Sequence, residues 1–155
     1  MRGAEVEGFE TTIRKTHTWL KEITYAIGVD GDPHVAYGAL RAVLHALRDR
    51  LTVDEAVQLG AQLPMLIRGL YYEGWCPRGK PEKTHTADFF EAIRRQLPGP
   101  DRPHPAVLAR AVLKVLSRHV SAGEVRDVKA ILPADLQELW PGAESCDDRG
   151  ASDRT

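Results

Sequence analysis

Residues 41–71 align without a gap on residues 110–140, at a constant offset of 69 positions. Ten of the 31 pairs are identical: Arg41/Arg110, Ala42/Ala111, Val43/Val112, Leu44/Leu113, Leu47/Leu116, Glu55/Glu124, Ala61/Ala130, Leu63/Leu132, Pro64/Pro133 and Leu70/Leu139. Unrelated stretches of ordinary composition would share about two. A self-match at one fixed offset marks a duplicated supersecondary unit, and such a unit leaves an apolar face that its copy covers. The chain is therefore expected to fold as two similar halves around one core.

Both halves carry helical periodicity. Phe9, Ile13, Thr16, Leu20, Ile23 and Ile27 recur at alternating steps of four and three, one inward stripe on a helix closed by Gly28. Asp32-Pro33 opens a second helix, the carboxylate accepting from exposed amides while Pro at the first position loses no needed N–H. Its inward line is Tyr37, Leu40, Val43, Leu44, Leu47 and Leu51. Thr52-Val-Asp-Glu55 and Ser121-Ala-Gly-Glu124 read as two capping boxes, each Glu returning to its own N-cap amide. Leu63-Pro64 and Leu132-Pro133 then break the third helix of each half, near Gln62 and Ile131, because proline excludes the α conformation before it. Residues 73–86 read as a loop and 87–97 as a helix with Phe89, Phe90, Ile93 and Leu97 inward. No segment alternates with the period of two that marks a strand.

The predicted fold is all-α, a compact helical bundle built from two pseudo-symmetric helical repeats. One domain is expected over residues 1–140, with the repeats at about 9–72 and 87–140. Residues 141–155 have almost no apolar side chains and are expected to form a disordered acidic tail. Within that tail, Glu144, Asp147, Asp148 and Asp153 against Arg149 and Arg154 give −2, which leaves +1 for the rest of a chain whose net charge is −1.

That near-neutral balance lacks the electrostatic footprint of a dedicated nucleic-acid binder. No run approaches the ~18 apolar residues of a membrane span, and the acidic start does not read as a secretory leader. Two cysteines cannot build a disulfide framework and fit a reducing, cytoplasmic setting.

Chemistry is hard to place. His17, His34, His45, His85, His104 and His119 show no His-Glu-x-x-His spacing, so no metal is expected. Cys76 lies near Arg78 and Lys80 but has no nameable base, and reads as a free loop thiol. Gly-x-Ser-x-Gly and the complete phosphate-cradling Gly-x-x-x-x-Gly-Lys-Ser/Thr are both missing from the sequence, so no catalytic residue and no cofactor are expected. The carboxylates Asp54 and Glu55 read as favourable charges at a helix N-terminus. Arg41, Arg48 and Arg50, and again Arg110, Lys114, Arg118 and His119, read as solvated basic faces.

The most distinctive stretch is Arg68-Gly-Leu-Tyr-Tyr-Glu-Gly-Trp75. Aromatics beside Arg are the material of interface hot spots, so Arg68, Tyr72, Glu73 and Trp75 are the candidate binding residues. Packing is the competing role, since aromatics also dominate cores. Tyr71 aligns with Trp140 and is expected inside; Trp75 is expected to pack with it, and Tyr72, one residue off that stripe, to be exposed.

The run Ala61-Gln-Leu-Pro64, then Arg68 to Trp75, Phe89-Phe90 and Ala130-Ile-Leu-Pro133 resembles the bacterial family called domain of unknown function 2267. The resemblance spans roughly residues 9–140 and implies a compact all-helical bacterial domain. It implies no catalytic residue, cofactor or substrate. The functional expectation is a non-catalytic protein-interaction or adaptor module with an unknown protein partner, a homodimer among the options and no membrane. The alternative is a nucleic-acid-binding regulator using the Arg110, Lys114, Arg118 helix face.

Overall fold

The computed structural model describes residues 5–28, 31–82 and 85–142. Among the described residues it is all helical: α1 (Glu7–Ile27), α2 (Pro33–Arg48), α3 (Val53–Ala61), α4 (Met65–Tyr72), α5 (Thr86–Gln96), α6 (Pro105–His119), α7 (Ala122–Ile131) and α8 (Ala134–Gln137). Residues 143–155, most of the expected acidic tail, lie outside the described residues.

Local chemistry sets the helix starts. The Asp32 carboxylate accepts from the His34 amide at 2.8 Å, and His104 Nδ1 accepts from the Ala106 amide at 3.1 Å. Each is followed by a proline at the first helical position, Pro33 and Pro105. Thr52 and Ser121 accept from the amides of Glu55 and Glu124 at 3.2 and 3.1 Å. Pro64 and Pro133 stand as the extended residues that open α4 and α8. The Arg68 guanidinium donates to the Leu63 carbonyl at 2.9 Å, and the side-chain amide of Gln137 donates to that of Leu132 at 2.9 Å. Those four residues are again equivalent at the offset of 69.

One apolar core joins α1 through α8. At its centre are α2 and α6, whose apolar residues face inward on most of their circumference, as expected of helices surrounded by protein. Alanines 36, 39, 42 and 46 on α2, all buried, let neighbours approach closely. Helix α2 packs on α1, α4, α5 and α6, and α6 on α1, α2 and α5. Exchanging α1–α4 for α5–α8 converts α1·α6 into α2·α5, α1·α2 into α5·α6 and α3·α4 into α7·α8. The α2·α6 and α3·α7 pairings map onto themselves. Helix α4, twice as long as α8, additionally packs on α1 and α2.

Three sequence expectations need correction. First, the inward line of α1 is Thr12, Trp19 and Ile23, so Phe9 and Ile13 are largely exposed. Ile23 belongs to both lines, but the contacts of α1 with α2, α4 and α6 turn Thr12 and Trp19 inward and leave Phe9 and Ile13 at the edge of the packed face. Tyr37 on α2 is exposed for the same reason, lying beyond the edge of the core. Second, Arg48 and Arg50 are buried and not solvated: both donate to backbone carbonyls, Arg48 to Tyr71 and Glu73, Arg50 to Ala46. Arg50 also lies over the Phe89 ring, 5.2 Å from its centroid. Third, only the hydroxyl half of each capping box forms. Among the described hydrogen bonds neither Glu55 nor Glu124 returns to its N-cap amide. Both turn instead into the interface between α3 and α7.

Candidate functional site

Helices α1 and α4 stand as two walls over α2 and leave a groove of about 590 Å³ open to solvent. Phe9 and Ile13 line one wall, Met65, Leu66 and Leu70 the other, with Tyr37 and Leu40 beneath and Glu73 at one end. Phe9 (59%), Met65 (51%), Ile13 (49%), Leu66 (48%) and Tyr37 (48%) are all about half exposed. Its two threonines are already engaged. Thr12 accepts from the Leu66 amide at 2.8 Å, pinning the start of α4 to α1, and the Thr16 hydroxyl donates to the Thr12 carbonyl at 2.7 Å. Glu73 is the one lining carboxylate, and it pairs with Arg41 at 3.4 Å. The groove can therefore select by apolar shape more than by hydrogen bonds.

The sequence held a signal for this surface. Met65, Leu66 and Ile67 are consecutive, and on a helix consecutive residues point about 100° apart. Ile67 and Tyr71 take the core, which leaves Met65 and Leu66 outside, uncovered by the other described residues.

The residues singled out from sequence are placed differently from one another. Arg68 is half-buried and structural: Nε donates to the Gly60 carbonyl at 2.8 Å, and Nη2 to those of Ala61 and Leu63 at 3.1 and 2.9 Å. It closes the C-terminus of α3, whose last carbonyls have no helical partner. Tyr72, expected exposed, is half-buried. Its ring stacks edgewise on Tyr71, centroids 4.9 Å apart, and its hydroxyl donates to the Val57 carbonyl at 3.4 Å. Trp75, expected to pack, is half-buried against Tyr72 at 5.5 Å, with its indole N–H enclosed and unpartnered. Of the four, the groove receives Glu73 alone.

The basic residues of α6 divide. Arg110, Lys114 and Arg118 are exposed at four-residue spacing on one face, with the acidic Glu138 in the same cleft as the first two. His119 leaves that face, stacking on Trp19 at 4.7 Å and bonding Glu22 at 2.7 Å. Cys76 is a free, exposed thiol. Among the described residues, Glu55, Glu124 and Asp127 bring carboxylate oxygens within 4.8 Å of one another. One oxygen from each makes three ligands, fewer than the six to eight that calcium takes. Among the described residues, no helix is long and apolar enough to cross a membrane.

Fold and groove together define an all-helical protein with an open, apolar surface channel between its first, second and fourth helices. The chain belongs to a family of uncharacterised conserved proteins, DUF2267, whose model matches residues 16–139. A search of curated proteins finds no match.

Proposed function

We propose that this protein is a non-catalytic interaction module of the cytoplasm that holds an apolar segment of a partner protein in the α1–α2–α4 groove. One observation carries the reading: five large apolar side chains, each about half exposed, share one concave surface. Isolated exposed apolar residues are ordinary, but a contiguous patch with a polar surround marks interaction sites. A groove between two helices suits an amphipathic helix laid along it. The equivalent caps and interhelical pairings of α1–α4 and α5–α8 support reading the chain as a duplicated pseudo-symmetric unit. In that reading the short α8 leaves the second half without the α4 wall. The site thus belongs to one half only.

The test begins with cross-linking to a partner in the native cell, followed by titration of that purified partner. Leu66→Asp and Ile13→Asp should each weaken the complex by about 2 kcal/mol, roughly thirtyfold, while urea unfolding of the free protein stays nearly unchanged. Equal affinity for both variants and wild type would refute the groove. If sedimentation shows a dimer that these substitutions dissociate, the partner is a second copy.

A nucleic-acid role has its own support in the exposed Arg110, Lys114 and Arg118 face. Counterion release would make such binding fall steeply with salt, and Lys114→Glu would abolish it while leaving groove binding intact.

A further inference from the structure

Glu55 and Glu124 occupy the same position of the 69-residue repeat and meet across the α3–α7 interface, each on the first turn of its helix. Glu55 is 9% exposed and Glu124 5%. Each has one carboxylate oxygen, Oε1, fully enclosed and without a hydrogen-bond partner. Two ionised carboxylates in contact and out of water repel each other and lose hydration, so such a pair needs a proton or a cation between them. Among the described residues, none of the groups acting on Glu124 is a cation. Glu124 faces Glu55 from α3 and Asp127 from its own helix. From α4 it faces Tyr71, whose hydroxyl is engaged with the Ala56 carbonyl at 2.7 Å. Arg48 acts on Tyr71 and is held by the Tyr71 and Glu73 carbonyls. Helix α8, packed on α7, carries the exposed acid Asp135.

We propose that Glu55 and Glu124 share one proton, and that this proton is a pH-sensitive clasp between the two halves of the molecule. An O–H of one carboxyl donates to an oxygen of the other, which gives the enclosed oxygens the partner they otherwise lack. Loss of the proton leaves two facing negative charges and loosens α3 from α7. Burial, contact with Glu55 and repulsion from Glu55 and Asp127 together push the Glu124 carboxyl up to about 7. The folded state then keeps a proton that the unfolded chain releases near 4.5, so this contribution is present in acid and disappears as pH rises from 4.5 to about 7.

The experiment compares the full chain with Glu124→Gln and Glu55→Gln by urea unfolding between pH 5 and 8. Glutamine keeps the shape and replaces the shared proton with a permanent N–H donor. Relative to either variant, the wild-type folding constant should fall on the order of a hundredfold across that range. Other titrating groups cancel in the difference. Infrared spectra should show a protonated carboxyl C=O band in wild type at pH 6 that fades towards pH 8 and is missing from both variants. Equal pH slopes in all three proteins, or no such band at pH 6, would overturn the proposal. So would stabilisation of the wild type at pH 8 by calcium or magnesium that both variants lose, since the pair would then hold a metal ion.

Discussion

Arg48 shows how a charged side chain comes to lie inside this bundle. Its guanidinium donates to the carbonyls of Tyr71 and Glu73 at 2.6 and 2.8 Å and to the Asp49 carboxylate at 3.2 Å. His45, one turn earlier on α2, donates from Nε2 to the Leu70 carbonyl at 2.8 Å; the carbonyl can only accept, which fixes the tautomer. Together the two close the C-terminal end of α4, whose last carbonyls no helical amide reaches. Arg48→Met should therefore remove about 3 kcal/mol of stability in urea unfolding, because two enclosed carbonyls lose their donor at once. His45 gives a pH signature of its own. Burial, more than the nearby Arg48 and Arg41, holds its pKa below the 6.5 of the free side chain, although the Leu70 carbonyl acts against this. The unfolded chain then binds a proton more readily than the folded one, so stability falls as pH drops below about 6.5. His45→Gln, which keeps an N–H towards Leu70, should flatten that acid limb. If the limb persists unchanged in the variant, His45 is not its source. Polar patterning alone places both side chains outside, since nothing in the sequence announces which carbonyls another helix leaves open.

Among the helices, α3 and α4 form a tight pair with a contact that two substitutions can interrogate. Gly60 lies beneath the Tyr72 ring, and a Cβ added there would overlap its hydroxyl end. Gly60→Ala should cost about 1–3 kcal/mol by forcing the ring aside. Tyr72→Ala should cost about 2 kcal/mol by emptying a half-buried aromatic site. Once Tyr72 is gone the new methyl has room, so the double variant should be less destabilised than the sum by at least about 1 kcal/mol. Strict additivity in urea unfolding would show that ring and glycine do not meet. Helix existence and boundaries were legible here because caps and prolines are local: Asp32-Pro33, Thr52, Ser121, Pro64 and Pro133 each act within one turn. Helix phase was less legible. The stripe from Phe9 to Ile27 is a real periodicity, yet which edge is buried depends on where α2, α4 and α6 sit, and that is tertiary information. The groove escaped for the same reason: Phe9, Ile13 and Tyr37 have the composition of core residues and differ only in lacking a neighbour. The aromatic run drew attention to Arg68 and Tyr72, which hold α4 onto α3, while the exposed apolar pair Met65 and Leu66 stood just before it.

Across the molecule the halves are interleaved, not merely adjacent. Helix α1 packs on α6, α2 on both α5 and α6, and α3 on α7, so each half has its inner face completed by the other. Leu40, Val43, Leu44 and Leu47 of α2, with Val112, Leu113 and Leu116 of α6, are essentially inaccessible to water in the assembled pair. Fully exposing side chains of this kind costs about 1.5–3 kcal/mol each, more than the whole stability of a typical domain once several are counted. A fragment of residues 5–82 or of residues 85–142 should therefore show weak helicity and no cooperative unfolding when expressed alone. Mixing the two should restore the circular dichroism of the intact chain and a single urea transition, with a midpoint that rises with fragment concentration. The cross-half pair of Gln62 with Ser121, at 2.8 Å to the Ser121 amide, should guide the register of that reassembly. If residues 5–82 unfold cooperatively by themselves, each half owns a sufficient core, and the proposed duplication would then be a tandem of independent units.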